Sequence, residues 1–247
     1  MSGGNPACVI PLDSWLEDDL MLSISKINSV AETAFFILKD DTILLRWFTP
    51  EIEMDLCGHA TLATAHCLNS ILNYPDKSIK FETKSGEITV DFKDDKYHMD
   101  FPTRIPLKSD LPKLISKSLN LKPLEVYKSR DYLLIYDSEE DIKKIKINTR
   151  YFNQINLDPG GVVVTAKGTN SDFVSRYFTP QSTILEDPAT GSSHCSLIPF
   201  WSKRLNKTHL TSIQLSKRIG EFECINHSKR VTVIGSAVNY SKTTITI

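Results

Sequence analysis

Three side chains stand where proton chemistry could be done: Glu32, His59 and Asp187. Glu32 lies in Val30-Ala31-Glu32-Thr33-Ala34-Phe35, flanked by apolar residues where a helical pattern gives way to a strand pattern. A carboxyl group in apolar surroundings becomes able to exchange protons near neutral pH, which general acid–base catalysis requires. Taken from its local sequence alone, it reads first as a solvated loop glutamate. Asp187 precedes Pro188 and stands shortly before Gly191, so it either approaches that glycine from the loop or serves as an ordinary turn aspartate. His59 directly follows Gly58 and either donates to a substrate carboxylate or carbonyl, or caps its own helix.

The two glycines belong to a repeat. Arg46-Trp47-Phe48-Thr49-Pro50 leads into Cys57-Gly58-His59-Ala60-Thr61, and about half a chain later Arg176-Tyr177-Phe178-Thr179-Pro180 leads into Thr190-Gly191-Ser192-Ser193-His194. Each copy reads as a strand, a Pro-marked turn and a glycine opening an apolar helix. The spacing is too long for a solenoid and points to one duplicated domain. A helix that starts at a glycine offers unpaired backbone N–H groups and the positive end of its dipole to an oxyanion. Either each glycine merely opens a turn, or Gly58 and Gly191 are donors to a small anionic substrate held between two lobes, and their duplicated contexts favour the second.

Positioning these residues requires the elements around them. Cys8–Leu12 reads as a strand, Ser14–Asn28 as a helix, and Thr33–Leu38 and Thr42–Phe48 as a hairpin turning at Lys39-Asp40-Asp41. From Gly58 to Asn73 almost no polar face remains, which predicts a helix enclosed by a sheet. Ile79–Thr83, Glu87–Phe92 and Tyr97–Phe101 alternate as strands. Proline-rich 102–112 marks the boundary between an N-terminal lobe, 1–105, and a C-terminal lobe, 106–247. The second half follows the same plan: a short helix after Pro112, strands near Val126 and Leu133, charged helices between Glu139 and Ile155, and a buried strand at Val162–Val164. Then come a strand at Asp172–Tyr177, an apolar helix from Gly191 to Leu205, and closing strands at Ile213–Leu215 and Val231–Ile234. The fold class is α/β (α+β).

The 247 residues are 40% hydrophobic and 24% charged, the composition of a globular protein. A formal charge of −1 gives no field to attract nucleic acid or an anionic membrane. No stretch approaches the roughly 18 apolar residues of a membrane helix, and the acidic start has no targeting pattern. Five scattered cysteines fit reduced thiols in a cytoplasmic protein. Cys57, His59, His66 and Cys67 match no zinc spacing, nor do His194 and Cys195, so metal ranks below core packing. With no Rossmann glycine fingerprint or P-loop, no nucleotide cofactor is expected.

Gly4-Asn5-Pro6-Ala7, Glu32-Thr33-Ala34-Phe35, Arg46-Trp47-Phe48-Thr49-Pro50, Cys57-Gly58-His59-Ala60-Thr61-Leu62-Ala63, Met99-Asp100-Phe101-Pro102, Glu186-Asp187-Pro188-Ala189-Thr190-Gly191-Ser192 and Gln214-x-Ser216-x-Arg218-x-Gly220-Glu221 occur in the order of the phenazine-biosynthesis PhzF-like family, over essentially the whole chain. The chain resembles its eukaryotic-type members. The resemblance implies a diaminopimelate-epimerase-like fold of two pseudo-symmetric lobes, each a mostly antiparallel sheet wrapped around a central helix, with the site in the cleft. It also implies a homodimer, an isomerase with no cofactor, Glu32 as general base and acid, His59 and Asp187 holding the substrate and aligning the proton transfer, and Gly58, Gly191 and Ser192 supplying backbone and hydroxyl donors to the substrate. The related two-base racemases use a thiol at each helix start; here Cys57 stands at one and Thr190 at the other. A descendant that only binds a small molecule or a protein partner is the alternative. Members carry a strand ahead of the Gly-Asn-Pro motif that is not seen after Met1, and its lack is expected to expose a sheet edge. Ala31 and Ile219 replace the usual serine and glycine.

Overall fold

The computed structural model describes residues 3–39, 42–157, 160–180 and 182–245. In chain order the elements of the first half are β1 (Ala7–Pro11), α1 (Asp18–Asn28), β2 (Glu32–Lys39), β3 (Thr42–Phe48), β4 (Glu53–Met54), α2 (Gly58–Ser70), β5 (Ser78–Thr83), β6 (Gly86–Lys93) and β7 (Lys96–Pro102). A link follows: β8 (Leu107–Lys108), α3 (Lys113–Ser118) and β9 (Glu125–Lys128). The second half comprises β10 (Tyr132–Ile135), α4 (Glu139–Lys144), α5 (Thr149–Phe152), β11 (Val162–Lys167), β12 (Phe173–Phe178), β13 (Glu186–Asp187), α6 (His194–Leu205), β14 (His209–Gln214), β15 (Gly220–Asn226) and β16 (Arg230–Gly235).

The pairings repeat along with the order. β1–β2 is parallel, β2–β3 and β3–β4 antiparallel, β3–β5 parallel, and β5–β6 and β6–β7 antiparallel. The same sequence recurs as β10–β11, β11–β12, β12–β13, β12–β14, β14–β15 and β15–β16. β7 and β16 then pair antiparallel, joining both sets into one continuous sheet. β9 covers the outer edge of β10, whereas β1 forms the edge of the sheet among the described residues.

α2 and α6 lie inside this wrap. Ala60, Ala65 and Leu68 of α2 and Cys195, Leu197, Ile198 and Trp201 of α6 belong to one buried cluster with side chains from both sets of strands. Trp201 stacks on Phe173 of β12, ring centroids 5.8 Å apart, and its indole N–H donates to Thr165 Oγ1 at 3.0 Å. The scarcity of polar positions in Gly58–Ser70 thus reflects enclosure: its small side chains let the sheet approach closely.

Two helix starts differ from the sequence expectation. α1 begins at Asp18 rather than Ser14; Trp15 and Leu16 instead pack from an extended lead-in against Met21, Ile24, Phe35 and Phe48. Asp18 and Asp19 occupy the first turn, where the helix dipole favours negative charge. α6 begins at His194 rather than Gly191. Residues 191–193 form a tighter turn in which His194 N–H donates to Gly191 O at 3.0 Å and Cys195 N–H to Ser192 O at 3.2 Å. The hairpin expected at 39–41 forms between β2 and β3, although Asp40 and Asp41 lie outside the described residues. Among the described residues no helix is long and apolar enough to cross a membrane.

Candidate active site

The repeated Arg-x-Phe-Thr-Pro segment builds a hairpin ahead of each helix. Arg46 binds Glu53 through two parallel hydrogen bonds of 2.7 and 2.8 Å, and Arg176 binds Glu186 through two of 2.8 Å. Each guanidinium also lies over the phenylalanine two residues on, 5.1 Å from Phe48 and 4.9 Å from Phe178. Thr49 N–H closes one turn onto Ile52 O and Thr179 N–H the other onto Leu185 O. Planar two-point pairing and ring stacking fix the short strands β4 and β13, so the chain enters each helical region from a defined direction.

Those entries converge. A Cβ placed on Gly58 would stand 2.7 Å from the Gly191 Cα, and one on Gly191 would stand 2.9 Å from the Gly58 Cα. The two backbones touch, and only glycine permits it. Both glycines and Ser192 border a cavity of about 190 Å³ that also takes in Glu32, His59 and Asp187. All six residues singled out from the sequence therefore meet in one cleft. No side chain caps α2, and its first turn carries no acidic residue, leaving the positive end of the helix directed at the cavity.

His59 Nε2 lies 3.1 Å from Glu32 Oε2, with both side chains almost wholly buried. The alignment falls short of a hydrogen bond, and neither atom has a hydrogen-bond partner among the described residues. On the other side of the ring, Cys57 Sγ is 3.6 Å from Nδ1. Burial above all, with the Glu32 charge adding to it, pushes the Cys57 thiol up to about 11, so it stays protonated at neutral pH. Burial disfavours the His59 imidazolium, but the adjoining Cys57 and Glu32 outweigh this and hold its pKa well above the ordinary value. Glu32, Cys57 and His59 could each offer a metal ligand, their atoms lying within 4.8 Å of one another. Yet the carboxylate and the sulfur flank opposite ring nitrogens, an arrangement suited to passing protons rather than to chelation.

Asp187 is buried, and its carboxyl is pushed up to about 6, chiefly by burial and then by the Glu32 charge; His59, Thr190 and Asn5 pull the other way. Thr190 Oγ1 donates to Asp187 Oδ2 and the Asn5 amide to Oδ1. The same amide nitrogen lies 3.2 Å from His59 Nδ1 and 3.3 Å from Ala189 O, which only accepts and so fixes the amide orientation. Asn5 thus spans the two lobes beneath the acid–base residues. In the sequence Gly4-Asn5-Pro6-Ala7 stands only as a motif, and the part Asn5 plays emerges from these contacts.

The late motif also acquires a function. Gln214 accepts from Thr190 N–H at 2.7 Å and donates to Asp187 O at 2.6 Å, Ser216 donates to the same carbonyl, and Arg218 donates to Gly4 O and Gly3 O at 2.8 and 2.7 Å. It clamps the Asp187 loop to the Asn5 loop. His194 lies away from the cavity: Nδ1–H donates to Thr190 O at 2.9 Å, Nε2 accepts from Ser212, and burial pushes its pKa down to about 4. His66 points instead to the Tyr97 hydroxyl, at 3.0 Å.

Known structures share this architecture. A probable proline racemase from Agrobacterium radiobacter, solved with bound carbonate, matches at a TM-score of 0.58 over 88% of this chain and 78% of that one, with 10% identity, which places the chain in the epimerase-like fold class. A PhzF-family phenazine biosynthesis protein from Enterococcus faecalis matches at a TM-score of 0.87 with 40% identity, over 97% of this chain and 92% of that one. An uncharacterized isomerase from Pseudomonas aeruginosa is 42% identical over 242 residues, 98% of this chain and 93% of that protein. Residues 1–243 match the family described as phenazine biosynthesis-like protein, and the chain belongs to that family. The isomerase names of its relatives support an isomerase or epimerase kind of activity.

Proposed function

We propose that the chain is a cofactor-independent isomerase that relocates a proton on a small carboxylate-bearing substrate, with Glu32 as the proton carrier. The observation that carries this reading is the 3.1 Å approach of His59 Nε2 to Glu32 Oε2, both atoms buried and without a hydrogen-bond partner among the described residues, in residues that line the cleft. Glu32 removes a proton from one carbon, the electron pair passes into the conjugated system of the substrate, and the same carboxyl returns the proton to another carbon on the same face. His59 orients Glu32 and the substrate, Asp187 aligns the transfer from the opposite lobe, and the helix start at Gly58 with Gly191 and Ser192 receives the carboxylate.

A two-base racemase is disfavoured by the turn that leads into α6. Thr190 stands where the second thiol would be, and its hydroxyl is engaged with Asp187. The recurring strand pairings support descent of both halves, 1–105 and 106–247, from one duplicated unit. A homodimer in the cytoplasm is the setting in which we place it.

Incubation of small cyclic and α-substituted carboxylates in D₂O, followed by NMR, tests the reading. Deuterium should enter a substrate carbon with wild type and not with Glu32→Gln. Equal incorporation by the variant removes Glu32 from the mechanism. Lack of exchange by wild type, with acids that also fail to raise its melting temperature, favours the non-catalytic alternative.

A further inference from the structure

The loop before β1 and the loop before β10 occupy corresponding places in the two halves, and each sends one side chain toward the glycine-marked entry of its own half and across to the other. From the first, Asn5 reaches His59, which follows Gly58, and Asp187, beside the hairpin of the other half. From the second, Arg130 reaches Ser192, which follows Gly191, at 3.0 Å, and Asp55, beside the hairpin of the other half, at 3.1 Å. Arg130 is thus the counterpart of Asn5 across the pseudo-symmetric cleft, and it is charged.

We infer that Arg130 is a positioning residue that biases Ser192 to give its hydroxyl hydrogen into the cleft, so that this end of the cleft favours an oxygen acceptor, and an anionic one most strongly. A guanidinium has only donors, so the Arg130 Nη2 contact occupies a lone pair of Ser192 and leaves its hydroxyl hydrogen to be given elsewhere. Neighbouring hydroxyls are committed differently: Thr190 to Asp187, Ser193 to Thr190 O, and Ser196 to Ser129. Ser192 borders the cavity, so its hydrogen is available to a ligand there.

The guanidinium is held for this task. Its side chain is 9% exposed, and Asp131 binds Nε and Nη2 at 3.2 and 3.1 Å. Asp131 is itself buried and accepts from Gly161 N–H at 2.9 Å and the Tyr177 hydroxyl at 3.0 Å. Asp55 takes Nη1 and is shared with Arg104. The cleft is therefore polarised: Asn5 gathers the proton-transfer residues at one end, and Arg130 prepares an oxyanion donor at the other.

This inference rests on the cleft being a carboxylate site, and binding tests it separately from turnover. Benzoate and its neutral analogue benzamide are titrated into wild type, Ser192→Ala, Arg130→Gln and the double variant, with melting curves to verify folding. Wild type should prefer benzoate. A hydrogen bond to a charged group makes the expected loss of benzoate affinity in each single variant roughly tenfold to a hundredfold, against a loss of less than about tenfold for the neutral carbonyl of benzamide. The double variant should be no weaker than the weaker single one, because both act through one contact. A purely structural role would weaken both probes alike. Equal affinity of wild type for the two probes, absence of benzoate binding, or multiplied effects in the double variant would each overturn the inference. If Arg130→Gln fails to fold, the benzoate-to-benzamide ratio in Ser192→Ala decides. Retained benzoate selectivity without deuterium exchange would refute the isomerase reading alone.

Discussion

Replacing Asp187 by asparagine should make the protein more stable and remove its activity. The carboxyl moves from its ordinary 3.8 to about 6 in the folded chain, through burial and then the Glu32 charge. At about 1.4 kcal/mol for each unit, ionised Asp187 destabilises the folded state by about 3 kcal/mol. Because the folded pKa is raised, the favourable contribution of the bound proton is complete below pH 3.8 and is lost as pH rises through 6. Asparagine has no charge to bury; its oxygen can accept the Asn5 amide and its nitrogen can donate to Thr190 Oγ1, replacing both contacts. Asp187→Asn should therefore gain up to about 3 kcal/mol over wild type at pH 8 and only about half of that near pH 5. Urea unfolding of both proteins at the two pH values reads the difference. A variant less stable than wild type at pH 8, or an advantage that does not change with pH, would refute the assignment of a strained, ionised aspartate.

Further predictions follow from the same network. In a Glu32→Gln background the asparagine advantage should shrink, since the neighbouring charge that helps raise Asp187 is gone; a double-mutant cycle in urea measures this. Asn5→Leu removes a hydrogen bond that favours the Asp187 carboxylate, so the Asp187 titration followed by NMR should move upward. Gly58→Ala forces a methyl group against the Gly191 backbone, and a loss of about 1 to 3 kcal/mol in urea unfolding is expected, with catalysis impaired even where the fold survives. Leu68→Ala, within the buried face of α2, should lose about 2 to 5 kcal/mol without altering the pH dependence of any remaining activity.

The repeat was the most legible feature of the chain, because a strand, a turn proline and a helix-opening glycine leave local signatures. Most strands followed from alternation, and the enclosure of α2 from its lack of a polar face. The start of α6 was misplaced because glycine followed by apolar residues reads as a helix opening whether or not the intervening turn is tighter than a helix. Gly58 and Gly191 were read as anion-binding starts; their backbone contact could not be seen, since it joins residues from opposite halves. Asn5, Arg130 and Gln214 escaped for the same reason: each is ordinary in its own segment and gains meaning only from a partner distant in the chain. Glu32 shows the limit most clearly. Its neighbours alone suggested a solvated glutamate, and what distinguishes it is the imidazole brought alongside by α2.

The seam between β7 and β16 shapes how this protein must be made. Arg230 pairs with Pro102 and Gly235 with Tyr97, so one edge of the first half is covered only by the last strand of the second. During synthesis, β7 is finished long before its neighbour leaves the ribosome. For that interval it presents unpaired backbone groups beside the buried side chains Tyr97, Met99 and Phe101, a surface prone to adhere to other nascent chains. The pairing also joins residues more than a hundred positions apart, a non-local contact of the kind that slows folding. A chain ending before residue 230 would therefore lack the strand that covers this margin, and would be a substrate for chaperones rather than a half-sized enzyme.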